Sequence, residues 1–168
     1  MEEDKKNQII KVGLGQDSHR FGLSDKSGKL ILGGVVFEGD APLLGNSDAD
    51  VVLHSVTNAI SGITGINIMG KVADEMCQKG ITDSAEYLKE ALRHLGNIRI
   101  IHVSISIECQ TPEITPRIAE MRERISSLLN IGSDNVGITA TTGEDLTAFG
   151  KGEGIQALSV VTARQEIS

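Results

Sequence analysis

The stretch from position 98 to 107, Ile-Arg-Ile-Ile-His-Val-Ser-Ile-Ser-Ile, alternates in polarity with a period of two. Successive side chains of an extended strand point to opposite faces, so the pattern specifies a strand with one aliphatic and one polar side. Arg99, Ile101, Val103, Ile105 and Ile107 fall on one side, and Ile100, His102, Ser104 and Ser106 on the other. A sheet built on such a strand takes its helices on the aliphatic side and needs other cover for the polar one. His102 reads as a packing or interface residue, because neither position two residues away holds an acid or a thiol.

Residues 9–15 form an apolar run that continues into Gln16-Asp17-Ser18-His19. Residues 29–37, divided by Gly33-Gly34, form a second extended segment expected to pair with the first, with turn residues at 24–28 between them. Ser47 and Asp50 have the spacing of a capping box, which predicts a helix starting near Ser47. Its buried stripe is Val52, Val56, Ala59, Ile60 and Ile63, and Asp50, His54 and Asn58 recur every four residues on another face. Residues 62–71 are a loop, and no pattern decides the structure from there to Thr82. Thr82-Asp83-Ser84 caps a helix with Ala85, Leu88, Ala91, Leu92 and Leu95 inside and Gly96 as its stop, where His94 serves the helix end. Thr115-Pro116 opens a helix buried along Ile118, Met121, Ile125, Leu128 and Leu129, and strands follow at 136–142 and 155–163.

The order ββααβαββ predicts a single α+β domain, a mixed β-sheet with helices packed mainly on one face. The uncovered face, with Ser104 and Ser106, calls for another subunit, and closed cyclic symmetry covers it in every copy. Residues 1–8 read as a flexible extension and 9–168 as the domain. Hydrophobic residues make up 39% of the 168, enough for the core of one domain. A net charge of −7 argues against nucleic acid, whose binding rests on clustered Lys and Arg. Two isolated cysteines form neither a zinc ribbon nor a disulfide framework and read as structural thiols in a reducing compartment. No apolar run approaches the ~18 residues of a membrane span, and the opening Met-Glu-Glu-Asp-Lys-Lys-Asn resembles no targeting peptide, so the expected setting is the cytoplasm.

Asp17 and His19, two residues apart on a strand, present a carboxylate and an imidazole to the same face. His54 offers a third ligand from the helix, with Asp50 and Asn58 one turn to either side to orient it. Three N/O ligands with an open fourth position are the arrangement of a catalytic zinc site. Ordinary hydrogen-bonded histidines are the competing reading. A second constellation lies late in the chain, where Thr141-Thr142-Gly143-Glu144 precedes Gly150-Lys151-Gly152-Glu153-Gly154. Hydroxyls and backbone amides at such a turn bind phosphate oxygens, and Glu144 is an oxygen ligand suited to magnesium or manganese. The glycine run lacks the spacing of a P-loop.

Five blocks, in order, resemble the 2-C-methyl-D-erythritol 2,4-cyclodiphosphate synthase family. They are Gly15-Gln16-Asp17-Ser18-His19-Arg20-Phe21, Leu32-Gly33-Gly34, Asn46-Ser47-Asp48-Ala49-Asp50-Val51-Val52-Leu53-His54, Thr141-Thr142-Gly143-Glu144 and Gly150-Lys151-Gly152-Glu153-Gly154. The resemblance implies a phosphorus–oxygen lyase of non-mevalonate isoprenoid biosynthesis. Its substrate is 4-diphosphocytidyl-2-C-methyl-D-erythritol 2-phosphate, cyclised with release of CMP. It also implies a homotrimer with active sites between subunits, Zn2+ or another divalent metal on Asp17, His19 and His54, and Mg2+ or Mn2+ near Glu144.

By the same resemblance Asn46 and Thr142 occupy the catalytic positions, and Ser47 and Thr142 hold the diphosphate with Thr141 beside them. Cys109, Gln110, Thr111, Pro112, Glu113, Ile114 and Thr115 wrap the cytosine through backbone groups. Gly70, Asp74 and Glu75 contact the rest of the substrate, and Lys151 faces a central cavity of the trimer. The chain departs from the family's pattern in several places. Asn46 stands where a histidine is usual, Glu113 where a lysine is common, and Lys151 where an arginine is common. Asn67-Ile68-Met69-Gly70 lacks the acid that binds the ribose. A metal-dependent phosphohydrolase and a non-catalytic nucleotide-binding trimer are the rival functions.

Overall fold

In the computed structural model, which describes residues 8–22 and 28–167, the segment at 98–107 is a strand with one residue too many. Ile98 and Ile100 are buried together with Val103, Ile105 and Ile107, while Arg99, His102, Ser104 and Ser106 are exposed. Strict alternation cannot bury residues 100 and 103 on one face. A β-bulge resets the phase: Ile100 pairs with Ala163 and His102 with Thr162, leaving Ile101 unpaired. The grouping of Arg99 and Ile101 with Val103 is thereby corrected.

The elements are β1 (Gln8–Arg20), β2 (Leu30–Leu32), β3 (Val35–Phe37), α1 (Val51–Thr64), α2 (Lys71–Gln78), α3 (Ser84–Arg93), β4 (Ile98–Glu108), α4 (Ile118–Leu129), β5 (Val136–Thr141) and β6 (Gly154–Glu166). One sheet has the order β1-β6-β4-β5, with β4 and β5 parallel and the other pairs antiparallel, so the fold is the expected mixed-sheet α+β domain. Among the described residues no helix is long and apolar enough to cross a membrane.

The expected pairing of the first two extended segments is not formed. β1 pairs with β6 along its length, from Gln8 opposite Glu166 to Arg20 opposite Gly154. Segment 29–37 instead folds back on itself, because Gly33 and Gly34 take φ values of 60° and 73° and make a tight turn between β2 and β3. Most of the turn expected at 24–28 lies outside the described residues.

Helix α1 starts later than Ser47. Ala49 has a φ of 55°, which a right-handed helix does not accept, and Asp50 is the cap, taking the N–H groups of Val52 and Leu53. The Ser47 hydroxyl instead accepts from Ala49 N–H at 3.1 Å. α1 lies on β1 and β6 and also meets α3, which explains why its polar His54, Ser55 and Thr57 are buried alongside the expected apolar stripe. Residues 71–78, left undecided by their sequence, form α2, whose Ala73 is buried with Val72 and Met76 packed beside it. A two-turn helix takes its stability from such packing, so its local pattern is weak.

The other face of the sheet carries Val12 and Leu14, 62% and 67% exposed, beside Leu158 and Val160. Leu14 is paired with Val160 and Val160 with Ser104 across the three strands, so the apolar patch is continuous with the serine side anticipated as uncovered.

Candidate active site

Asp17 and His19 project from the same face of β1 towards the first turn of α1, where His54 is 3% exposed. Asp17 Oδ2 lies 2.8 Å from His54 Nδ1 and 3.2 Å from His19 Nε2, and the two rings are edge-on at 5.6 Å. One ligand atom from each residue falls within 4.8 Å of the others. The strand–helix juxtaposition that the candidate trio requires is therefore formed.

The outer nitrogens are also occupied. His19 Nδ1 is 2.6 Å from the Leu44 carbonyl, which can only accept, so this nitrogen carries the proton and Nε2 turns its lone pair towards Asp17. A lone pair facing a carboxylate oxygen is held there only by positive charge, either a second proton on the ring or a metal ion. The hydrogen bond to Asp17 raises the His19 pKa above its ordinary value of 6.5. Burial acts to raise the Asp17 carboxyl, but hydrogen bonds and charge from His19 and His54 outweigh it and hold the group at about 2. A carboxylate and two imidazoles converging in this way fit a divalent ion of zinc type.

The residues expected to orient His54 do other work. Asp50 is fully buried and its carboxyl accepts from Gly33 N–H at 2.8 Å, Gly34 N–H at 2.6 Å, and Val52 and Leu53 N–H. It ties the β2–β3 turn to the start of α1, and burial pushes its pKa up to about 6 despite those bonds. Asn58 donates to the Gln16 carbonyl at 3.0 Å and so pins β1 onto α1. The ring of His54 instead meets Ser84 Oγ at 2.7 Å and the Tyr87 ring. Ser84 was legible only as part of a helix cap, and the Leu44 carbonyl left no sequence signal.

The trio opens into a cleft of about 300 Å³, also lined by Asn46, Ser47, Asn58, Met69, Ala73, Asp74, Cys77 and Tyr87. Asn46, Ser47 and Asp74 are thus brought to the trio, whereas Glu75 is exposed and lies 3.9 Å from Lys71. Gly70 caps α2 from outside the lining. Cys77, expected to be structural, is half-buried in this cleft, with its thiol donating to the Asn46 carbonyl. Ile68, where the family pattern has an acid, is 1% exposed in the core, which leaves Asn67 as the exposed neighbour.

A second cleft, of about 170 Å³, is lined by Cys109, Gln110, Pro112, Glu113, Ile114, Thr115, Ala140, Thr141 and Thr142. Thr111 is exposed beyond its lining. Cys109 N–H donates to the Thr141 carbonyl, and burial pushes its thiol up to about 11. Thr141 Oγ1 accepts from Gly143 N–H at 3.2 Å, and Thr142 Oγ1 donates to Glu144 at 3.2 Å. Glu144 is exposed and belongs to no three-ligand group among the described residues. Lys151 is exposed on the loop between β5 and β6. The two clefts share no lining residue.

The profile of the YgbB family matches residues 10–164. The chain is similar to the 2-C-methyl-D-erythritol 2,4-cyclodiphosphate synthases of Chlamydia caviae, 49% identical over 96% of this chain and 93% of that one, and Chlamydia muridarum, 48% identical over 94% and 89%. Among solved structures it resembles the bifunctional IspDF of Campylobacter jejuni, with a TM-score of 0.85 and 30% identity over 95% of this chain and 43% of that one. It also resembles the IspF–CDP complex of Plasmodium falciparum, with a TM-score of 0.81 and 26% identity over 94% and 97%. Matched by profile, sequence and fold over nearly its whole length, the chain belongs to the YgbB family of 2-C-methyl-D-erythritol 2,4-cyclodiphosphate synthases.

Proposed function

We infer that the chain converts 4-diphosphocytidyl-2-C-methyl-D-erythritol 2-phosphate to 2-C-methyl-D-erythritol 2,4-cyclodiphosphate and CMP. The observation that carries the reading is the convergence of Asp17, His19 and His54 beside Ser47 and Asn46 in one cleft. An oxygen of the 2-phosphate attacks the β-phosphorus, a new P–O bond forms, and the bond to the bridging oxygen breaks as its electron pair leaves with CMP. The protein's task is to bend the substrate into line and to stabilise charge on the equatorial oxygens.

Asp17, His19 and His54 would hold Zn2+ or another divalent ion, which would neutralise phosphoryl oxygen charge. The Ser47 hydroxyl and Asn46 amide donate to the diphosphate from the rim of the same cleft. Asn46 brings hydrogen bonds without a positive charge, so more of the stabilisation would fall to Thr142 and the other donors of the site. Thr141 and Thr142 present hydroxyls at the edge of the second cleft, where the backbone of residues 109–115 receives the cytosine. Glu144 would supply an oxygen ligand to Mg2+ or Mn2+.

A homotrimer completes this arrangement. The two clefts have separate linings, and the face bearing Val12, Leu14, Leu158 and Val160 offers the apolar contact on which subunits assemble. One subunit's metal cleft then faces its neighbour's cytosine cleft, and closing the site between subunits keeps water from the β-phosphorus. Lys151 faces the central cavity in the same assembly. A cytoplasmic setting fits the two unpaired thiols.

Phosphorus NMR with the cytidine diphosphate substrate, zinc and magnesium tests the reading. A cyclic diphosphate with CMP is expected. CMP with an open-chain bisphosphate makes the chain a phosphohydrolase, and binding without turnover makes it a nucleotide-binding trimer.

A further inference from the structure

The hydrogen-bond directions around Ser84 determine which nitrogen of His54 is free. Ser84 is the first residue of α3 and fully buried, and its hydroxyl touches both Asp48 Oδ1 and His54 Nε2, the latter at 2.7 Å. The Asp48 carboxylate already accepts from Asp50 N–H at 3.2 Å and Ser84 N–H at 3.1 Å. A carboxylate offers no proton, so the Ser84 hydroxyl proton must point to Asp48. Its oxygen then faces His54 only as an acceptor. Two facing acceptors repel, so His54 Nε2 must carry the ring proton. The other oxygen near Nε2, on Ser47, is 3.5 Å away, too far to compete.

We propose that Ser84, held by Asp48, is a positioning residue for the metal centre, keeping a proton on His54 Nε2 so that Nδ1 is the nitrogen offered to an ion beside Asp17 and His19. Leu44 does the same for His19 through a backbone carbonyl, so the inner nitrogen of each imidazole is the one presented to Asp17, where a second ring proton or an ion must sit. The chain Asp48–Ser84–His54 joins the segment before α1 to the first turn of α3. The placement of α3 is thereby coupled to the geometry of the ligand on α1. This inference rests on the metal reading of the trio and adds to it the residue that orients one ligand.

Two measurements test it. In metal-free protein labelled with 15N at histidine, long-range 1H–15N spectra should show a proton on His54 Nε2. In competition with a chelator, Ser84→Ala should bind zinc roughly 10–100-fold more weakly than the wild type. The same variant should give a mixture of His54 tautomers, a signature that simple loss of packing does not produce. A wild-type His54 without a proton on Nε2, or unchanged zinc affinity in folded Ser84→Ala, overturns the proposal. A wild-type protein that takes up no zinc defeats the metal reading instead, and the tautomer spectrum then still decides the role of Ser84.

Discussion

Gly15 lies so close against Ser55 that a Cβ on the glycine would stand 1.9 Å from the Ser55 carbonyl oxygen. Gly13 meets the Ala59 carbonyl at the same distance one turn further along α1. With no side chain at either position the strand rests directly on the helix backbone, and this lets Asp17 and His19, two and four residues beyond Gly15, reach His54.

Gly15→Ala should therefore damage fold and site together. The added methyl meets backbone that cannot swing aside, and overpacking of this kind costs about 1–3 kcal/mol or more. Denaturant unfolding should show a loss of at least that size, and zinc competition a weaker site. Wild-type stability in the variant would contradict the contact.

Asp50 gives a pH dependence of unusual sign. Burial raises its pKa from 3.8 to about 6 in the folded chain, so the folded state holds the proton more tightly than the unfolded state. Stability should then fall as pH rises through that window, by an amount on the order of 1–3 kcal/mol. The measurement is unfolding free energy against pH for the wild type relative to Asp50→Asn. A flat difference would mean that the four N–H bonds fully offset the burial.

His19 should titrate against any divalent ion bound by the trio. Its pKa is raised by Asp17, so the contact stabilises the metal-free protein fully below 6.5 and is lost as pH climbs through the raised value. A divalent ion takes the place of that proton. Zinc affinity should accordingly increase with pH across the same window, with protons released on binding. Calorimetry in buffers of different ionisation heat reads the release directly, and affinity independent of pH would remove His19 from the ligand set.

His54→Ala removes the buried ligand of the trio. Zinc binding and turnover should be lost while the oligomer persists, because His54 faces the cleft and not the exposed sheet face. Elemental analysis with light scattering checks both halves of the statement. Retained activity would exclude a catalytic metal on these residues.

Leu14→Glu places a charge in the middle of the apolar sheet face, opposite Val160. The subunit should still fold, since Leu14 is 67% exposed in the isolated chain, but the assembled mass should drop and turnover with it. A trimer of unchanged mass would move the interface elsewhere.

Much of the site was legible because it is local or carried by family motifs. The i, i+2 placement of Asp17 and His19, the helix bearing His54, and the cap at Thr82-Asp83-Ser84 each depend on neighbours a few residues away, whereas Thr115-Pro116, expected to open a helix, forms a 3-10 turn ahead of α4, which starts at Ile118. Other features depend on distant partners. Ile101 looks like one more alternating residue until its pairing with β6 is known, and the hairpin at Gly33-Gly34 looked like a partner for β1. The start of α1 was misplaced because Ser47 and Asp50 both suit a cap, and only the backbone at Ala49 selects between them.

The amino-acid sequence by itself determined most of the elements, the candidate trio and the family, since caps, alternation and motif order are written in consecutive residues. Tertiary structure decided that β1 pairs with β6, that Asp50 holds a turn while Ser84 holds His54, and that the two clefts are separate. The reason is physical: Asp17 and His54 lie 37 residues apart, and Ser84 a further 30 beyond His54. Their meeting is set by strand register and by two glycines that let a strand touch a helix, contacts that no local pattern encodes.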